Sequence, residues 1–180
     1  GDCCQVVDEC GSAALEDVAR AYGAVRVVRL TRSYRSTSEI VALANRVKPA
    51  AGLEAVERHG DVPRIIDCAL EAAQAFRASG RKTLGILHAS DELAARYAEL
   101  LSRDVDVHLL TERTETFEEG VSVASVKMAK GLEFDEVVVL DADERFSGEL
   151  GRSLLYVAVT RALHRLTVLH RGRPSRFLAE

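Results

Sequence analysis

Long apolar runs are missing from this chain of 180 residues, 29% of them charged. No stretch approaches the roughly 20 apolar residues that a membrane-crossing helix needs, and no secretory leader precedes the first element. The sequence reads as a soluble, cytoplasmic protein with no membrane partner. Cysteine is sparse and wrongly spaced for metal. Cys3, Cys4, Cys10 and Cys68 make no C-x-x-C pair and have no nearby histidine, which argues against zinc and for reduced thiols. Methionine occurs once, at Met128, and the chain opens at Gly1-Asp2, so the sequence reads as a piece of something longer. Also missing is G-x-x-x-x-G-K-[ST], the glycine-rich turn whose amides and lysine hold nucleotide phosphates.

Charge of one sign is absent locally. Between Gly151 and Ala179 there is no Asp or Glu, while Arg152, Arg161, Arg165, Arg171, Arg173 and Arg176 fall there. A second basic stretch from Arg20 to Lys48 includes Arg26, Arg29, Arg32, Arg35 and Arg46. The whole chain nevertheless carries a net charge of -4, with a pI near 5.8. That total argues against a generic polyanion-binding domain and leaves room for a few arginines converging on phosphate.

A hydrophobic content of 47% allows a real core, in one domain or at most two small ones. Periodicity predicts helices over 13–22, 36–47, 70–79, 91–102 and 152–163. Strands are predicted over 25–30, 64–68, 83–89, 106–110, 121–126, 136–142 and 165–170. Ser36 with Glu39 three residues later fits a capping box, and Pro49 with Gly52 should end that helix. Gly80 terminates the next helix and Ser90 caps the one after it. Continuous apolar strands between amphipathic helices imply a single α/β domain, its mostly parallel sheet covered on both faces.

The stretch "SVKMAKGLEFDEVVVLDADE" (125–144) can be read from either end. Its second half looks like the apolar strand and acidic terminus that position magnesium in phosphate-loop enzymes. Without the loop, Asp141, Asp143 and Glu144 read as simple strand termination, with no metal site. The first half, "AKGLEF", has partners elsewhere: "GDCCQ" at the start, "LTRSYRSTSEI" around Arg35, and "LLYVAVTRA", which puts Arg161 on a helix. Together and in this order, the four stretches resemble motifs III to VI of the UvrD/Rep-type superfamily 1 helicases.

The resemblance implies a RecA-like three-layer sandwich, the C-terminal of two such domains, with residues 1–13 the remnant of motif III and no phosphate loop of its own. In that family the N-terminal RecA-like domain grips ATP and Mg2+, and the C-terminal one supplies arginines and part of the single-strand track. By match to the motifs, Gln5 would sense the γ-phosphate, and Arg35 and Arg161 would be arginine fingers. Glu133, beside the Gly131 backbone, would accept a hydrogen bond from the ribose. Arginine suits this role because phosphoryl transfer spreads charge over equatorial oxygens that a planar guanidinium meets two at a time, where lysine offers a point charge.

Ser125 and Lys127 are the candidate nucleic-acid contacts, standing where the family has Thr-x-His. Cys10-Gly11-Ser12-Ala13 replaces the family's aromatic-Arg-Gly-Ala, so no stacking platform is offered there. About a hundred residues separate Arg35 from Gly131, leaving no room for the accessory domain inserted in UvrD and Rep. The compact spacing looks closer to the HelD-type (helicase IV-like) branch. The expectation is a motor domain of an ATP-dependent DNA helicase or translocase acting on single-stranded or partly duplex DNA, inactive in isolation. Two alternatives stand beside it: a HelD-type ATPase that remodels RNA polymerase, and a non-catalytic nucleotide- or DNA-binding module.

Overall fold

A computed structural model describes residues 4–7, 20, 21, 23, 31–66, 68–114 and 116–178. The helix expected over 13–22 lies outside the described residues except for Arg20 and Ala21, which are helical, and the strand expected over 25–30 lies wholly outside them. Eight strands are described: β1 (Arg32–Ser33), β2 (Glu54–Ala55), β3 (Arg64–Ile66), β4 (Thr83–His88), β5 (Val107–Leu109), β6 (Gly120–Ser125), β7 (Phe134–Val139) and β8 (Ala162–Leu169). Four helices accompany them: α1 (Ser38–Val47), α2 (Ala69–Ser79), α3 (Asp91–Leu101) and α4 (Gly148–Val159). β3 to β8 form one parallel sheet in the order β3-β8-β7-β4-β6-β5, and β1 pairs with β2 in a separate parallel ribbon.

The strand pattern builds three layers. Leu84, Ile86, Val121, Val123, Val138 and Leu140 point to one face, where Ala73 and Phe76 of α2 and Ala94, Ala98 and Leu101 of α3 cover them. Leu87, Ala124, Val137 and Val139 point to the other, under Ile40, Ala44 and Val47 of α1 and Leu155 and Val159 of α4. Side chains alternate along a strand, so only strands apolar at every position can serve both layers, and the central strands here are of that kind. Gly85 interrupts β4 because the ring of Phe134 lies where its side chain would be; an added Cβ would meet that ring at 2.8 Å.

Two local expectations are corrected. The 36–47 helix begins at Ser38 with Thr37 as N-cap and no side-chain cap bond, so there is no capping box. The Ser36 hydroxyl instead donates to the Ala162 carbonyl (2.7 Å), and the Glu39 carboxylate accepts from the Gly60 amide (2.9 Å). Both tertiary partners lie far along the chain and outcompete the local motif. The last helix runs over 148–159 rather than 152–163, so Arg161 sits in the turn after α4 and not on it. Sheet pairing decides its end: the Phe134 amide donates to the Arg161 carbonyl (3.0 Å) and β8 pairs from Ala162. At its start, a Cβ on Gly151 would lie 2.6 Å from the Phe146 carbonyl carbon, so a glycine is needed for the helix to open so close to that turn.

Candidate functional site

At the edge of the sheet where β7 and β8 begin, the structure brings together most of the residues singled out by motif. Gln5, Arg35 and Arg161 line one cavity of about 370 Å3, together with Arg32, Ser33, Tyr34, Ser36, Tyr156 and Thr160; Ile40, Val41, Ala44 and Leu53 supply its apolar wall. Three arginines and no carboxylate are among these lining residues. Such a cavity is electropositive and favours an anion.

The arginines are held in opposite ways. Arg161 is 2% exposed. Its Nε donates to the Val157 carbonyl (3.3 Å), Nη1 to the Leu132 carbonyl (3.1 Å), and Nη2 to Gln5 Oε1 (3.4 Å) and Thr160 Oγ1 (3.3 Å). It therefore stitches together the turn after α4, the loop before β7 and the N-terminal segment. Arg35 lies between β1 and α1 with its side chain 61% exposed, and its Nε meets Glu133 Oε1 at 2.8 Å. Gly131, two residues before Glu133, has φ +93, a conformation open to glycine and costly for other residues.

Ser125 and Lys127 lie elsewhere, at the carboxyl end of β6. A six-residue strand spans roughly 17–20 Å, so these two stand at least about one strand length from Glu133, at the other end of the sheet. The Ser125 hydroxyl is buried and accepts the Met128 amide (3.2 Å), capping the turn, while Lys127 is exposed. Ser125 and Met128 also line a shallow cavity of about 520 Å3 with Ala94, Leu110, Thr111 and Arg113.

The acidic strand end is occupied by protein cations. Asp141, with φ +48, accepts the Tyr97 hydroxyl at 3.0 Å and lies 3.3 Å from Arg145 Nη1 and 3.4 Å from Arg171 Nε. Asp143 takes Arg145 at 2.7 Å. Buried His88, whose Nδ1 accepts the Ser90 amide, turns its Nε2 toward Asp141 at 3.4 Å. Burial pushes the His88 pKa down and the Tyr97 pKa up. Among the described residues, no three His, Cys, Asp or Glu side chains are grouped to hold a metal ion.

Residues 120–169 match the family described as UvrD-like helicase C-terminal domain. Among solved structures, the C-terminal domain of a possible DNA helicase from Lactobacillus plantarum WCFS1 is 30% identical with a TM-score of 0.67, the match covering 82% of this chain and 92% of that one. No curated protein matches the chain. The chain belongs to the UvrD-like helicase C-terminal domain family. It has the parallel sheet and flanking helices of the RecA-like domains of such helicases.

Within this helicase domain, sequence reasoning missed Tyr34, whose side chain stands in the cavity wall beside Arg35 with the residue 68% exposed. Its place next to Arg35 was the available signal. Nor does the sequence tie Arg58 to Arg35: its Nη1 donates to the Arg35 carbonyl (2.7 Å), although a whole helix and a strand separate the two along the chain.

Proposed function

We propose that this domain supplies the cationic half of an ATP site in a DNA helicase or translocase, the other half coming from an N-terminal RecA-like domain. The observation that carries the reading is the convergence of Gln5, Arg35 and Arg161 on one cavity whose lining has no carboxylate. In this reading Arg35 and Arg161 face the phosphates, and Gln5, already bonded to Arg161, lies within the same polar group. Glu133 exchanges Arg35 for a ribose hydroxyl, and the exposed Tyr34 ring offers a face to the base. A guanidinium stabilises the charge spread over a transferring phosphoryl group best when it is held in place beforehand. Mg2+ would neutralise phosphate charge when bound. The cavity's residues suit the phosphates themselves, and no carboxylate lining it is available to hold the cation, so the metal ligands belong to the partner domain.

The nucleic-acid contacts belong to the opposite edge, where Lys127 is exposed and Ser125 holds the turn that presents it. Here a backbone contact is expected to lower the salt dependence of binding by about one unit of slope when removed.

The test is DNA-stimulated ATP hydrolysis by the full-length protein. Arg35→Ala and Arg161→Ala should each lower kcat by about 10³- to 10⁵-fold, the range for arginine fingers. Either variant hydrolysing ATP within about tenfold of wild type defeats the assignment. A second reading, remodelling of RNA polymerase, is favoured by one observation: among the described residues between Arg35 and Gly131, the chain forms strands of the main sheet, the β2 strand of the separate ribbon and their helices, with no inserted domain. Retention of the full-length protein on RNA polymerase, with ATP hydrolysis indifferent to DNA, would select it.

A further inference from the structure

An exposed arginine on a loop is a poor transition-state ligand unless something fixes the loop, because donors must be oriented before charge develops. The Arg35 guanidinium meets Glu133, but its backbone has no regular structure of its own: residues 34–36 form a bend between β1 and α1. The bend is held by the Ser36 hydroxyl on the Ala162 carbonyl and, on its helix side, by the segment 56–60, which runs as a strap against the first turn of α1. The Ser38 amide donates to the Arg58 carbonyl (2.8 Å), and the Ser38 hydroxyl to the Val56 carbonyl (3.2 Å). Glu39 takes the Gly60 amide and His59 Nδ1 (3.0 Å). The strap is seated tightly, since a Cβ on Gly60 would lie 2.5 Å from Thr37 Cγ2 and 3.2 Å from the His164 carbonyl oxygen.

Arg58 links this strap to both arginine-bearing segments. Its Nη1 donates to the Arg35 carbonyl at 2.7 Å, while Nη2 lies against the His164 ring, 2.7 Å from Nδ1 and 3.1 Å from Nε2. His164 is in β8, three residues after Arg161. A guanidinium only donates, so the ring nitrogen facing it must accept, which requires neutral His164. Burial, with Arg81 and Arg58 nearby, pushes the His164 pKa down in agreement. The planar fork thus spans from the loop of one arginine to the strand that follows the other. Lysine, with its single nitrogen, cannot bridge in the same way.

We propose that Arg58 is a positioning residue for Arg35, setting the loop backbone from which its guanidinium reaches the phosphates. The inference rests on the reading of Arg35 as phosphate-facing. Arg58 is not among the residues lining the cavity and acts through the Arg35 carbonyl.

The test is steady-state ATP hydrolysis by the full-length protein with saturating single-stranded DNA, comparing wild type, Arg58→Ala, Arg58→Lys, Arg35→Ala and the Arg35→Ala/Arg58→Ala double variant. Arg58→Ala should lower kcat by about 10- to 100-fold, the usual cost of a misplacement near 1 Å, with KM for ATP changed by less than about threefold. Arg58→Lys, which can still donate to the Arg35 carbonyl, should recover part of the loss. The double variant should be no slower than Arg35→Ala alone, since a residue acting only through Arg35 has nothing left to position. Wild-type kcat in Arg58→Ala, or losses that multiply in the double variant, overturns the proposal. If Arg58→Ala misfolds, Arg58→Lys decides: unchanged kcat with a tenfold higher KM defeats it, and a lower kcat at constant KM supports it. An Arg35→Ala variant as fast as wild type overturns the underlying reading of the site, and the Arg58 proposal with it; a slow Arg35→Ala beside a fast Arg58→Ala overturns the Arg58 proposal alone.

Discussion

Arg35 and Arg161 line the same cavity, yet the structure predicts that their loss has different consequences for folding. Arg161 is buried, and truncation to alanine removes the donors that the Leu132 and Val157 carbonyls and Gln5 now use. A buried acceptor left unpaired costs about 1–3 kcal/mol, and the space vacated by the side chain adds to that. A total of roughly 2–4 kcal/mol follows, which for a domain of this size is a fall in melting temperature of about 5–15 °C. Arg35→Ala removes one ion pair from a side chain that is 61% exposed. Surface pairs of this kind contribute about 0–1 kcal/mol, so the melting temperature should move by no more than about 3 °C. The assay is thermal or urea unfolding of the 180-residue chain, followed by circular dichroism, for wild type and both variants. Equal losses, or a larger loss for Arg35→Ala, would refute the distinction between a guanidinium built into the fold and one resting on its surface.

Two further outcomes follow from the core and from two histidines. Gly85→Ala should destabilise the chain by about 1–3 kcal/mol in urea unfolding, because the new methyl meets the fully buried Phe134 ring at 2.8 Å and neither can leave the layer. Stability should also fall on acidification: His88 and His164 both have lowered pKa values, chiefly from burial. The unfolded chain takes up their protons first, so the stabilisation is complete above about pH 6.5 and is lost as the pH falls through the lower folded-state values. His88→Asn, whose side-chain oxygen can accept the Ser90 amide in place of Nδ1, should flatten that decline between about pH 7 and 5; an unchanged slope contradicts it.

The parts of the fold legible in the sequence are those written locally. The apolar runs 83–89 and 136–142 are buried strands in the structure over 83–88 and 134–139, and Gly80 ends its helix with φ +69 as its position suggests. Ser90 accepts the Leu93 amide, as an N-cap should. Errors arose where a tertiary partner outbid a local one. Ser36 and Glu39 have capping-box spacing, but one reaches Ala162 and the other the strap at Gly60. Residues 160–163 continue an apolar helical pattern, but pairing with Phe134 draws Ala162 into the sheet. The proposed site divides in the same way. Arg35, Glu133 and Arg161 are picked out by their motifs, whereas Arg58 is not, because the contacts that give it its proposed role lie more than twenty residues away in either direction.

The pairing of Arg35 with Glu133 gives the proposed site an economical way to change state. Both are motif residues, and each satisfies the other's charge. Because the pair is largely open to water, separating it costs about 0–1 kcal/mol. On the proposed reading, a charge-assisted hydrogen bond from Arg35 to a phosphate oxygen would outweigh that. The same movement frees the Glu133 carboxylate for a hydroxyl, so one displacement would supply both a donor and an acceptor to the nucleotide. Arg161 makes no such exchange, since its guanidinium is already bonded to a carbonyl of α4 and to one in the loop before β7. On the proposed reading, the two arginines reach the phosphates differently: Arg161 is already held in the cavity wall before ATP arrives, and Arg35, its backbone fixed by Arg58, is the one that moves onto them.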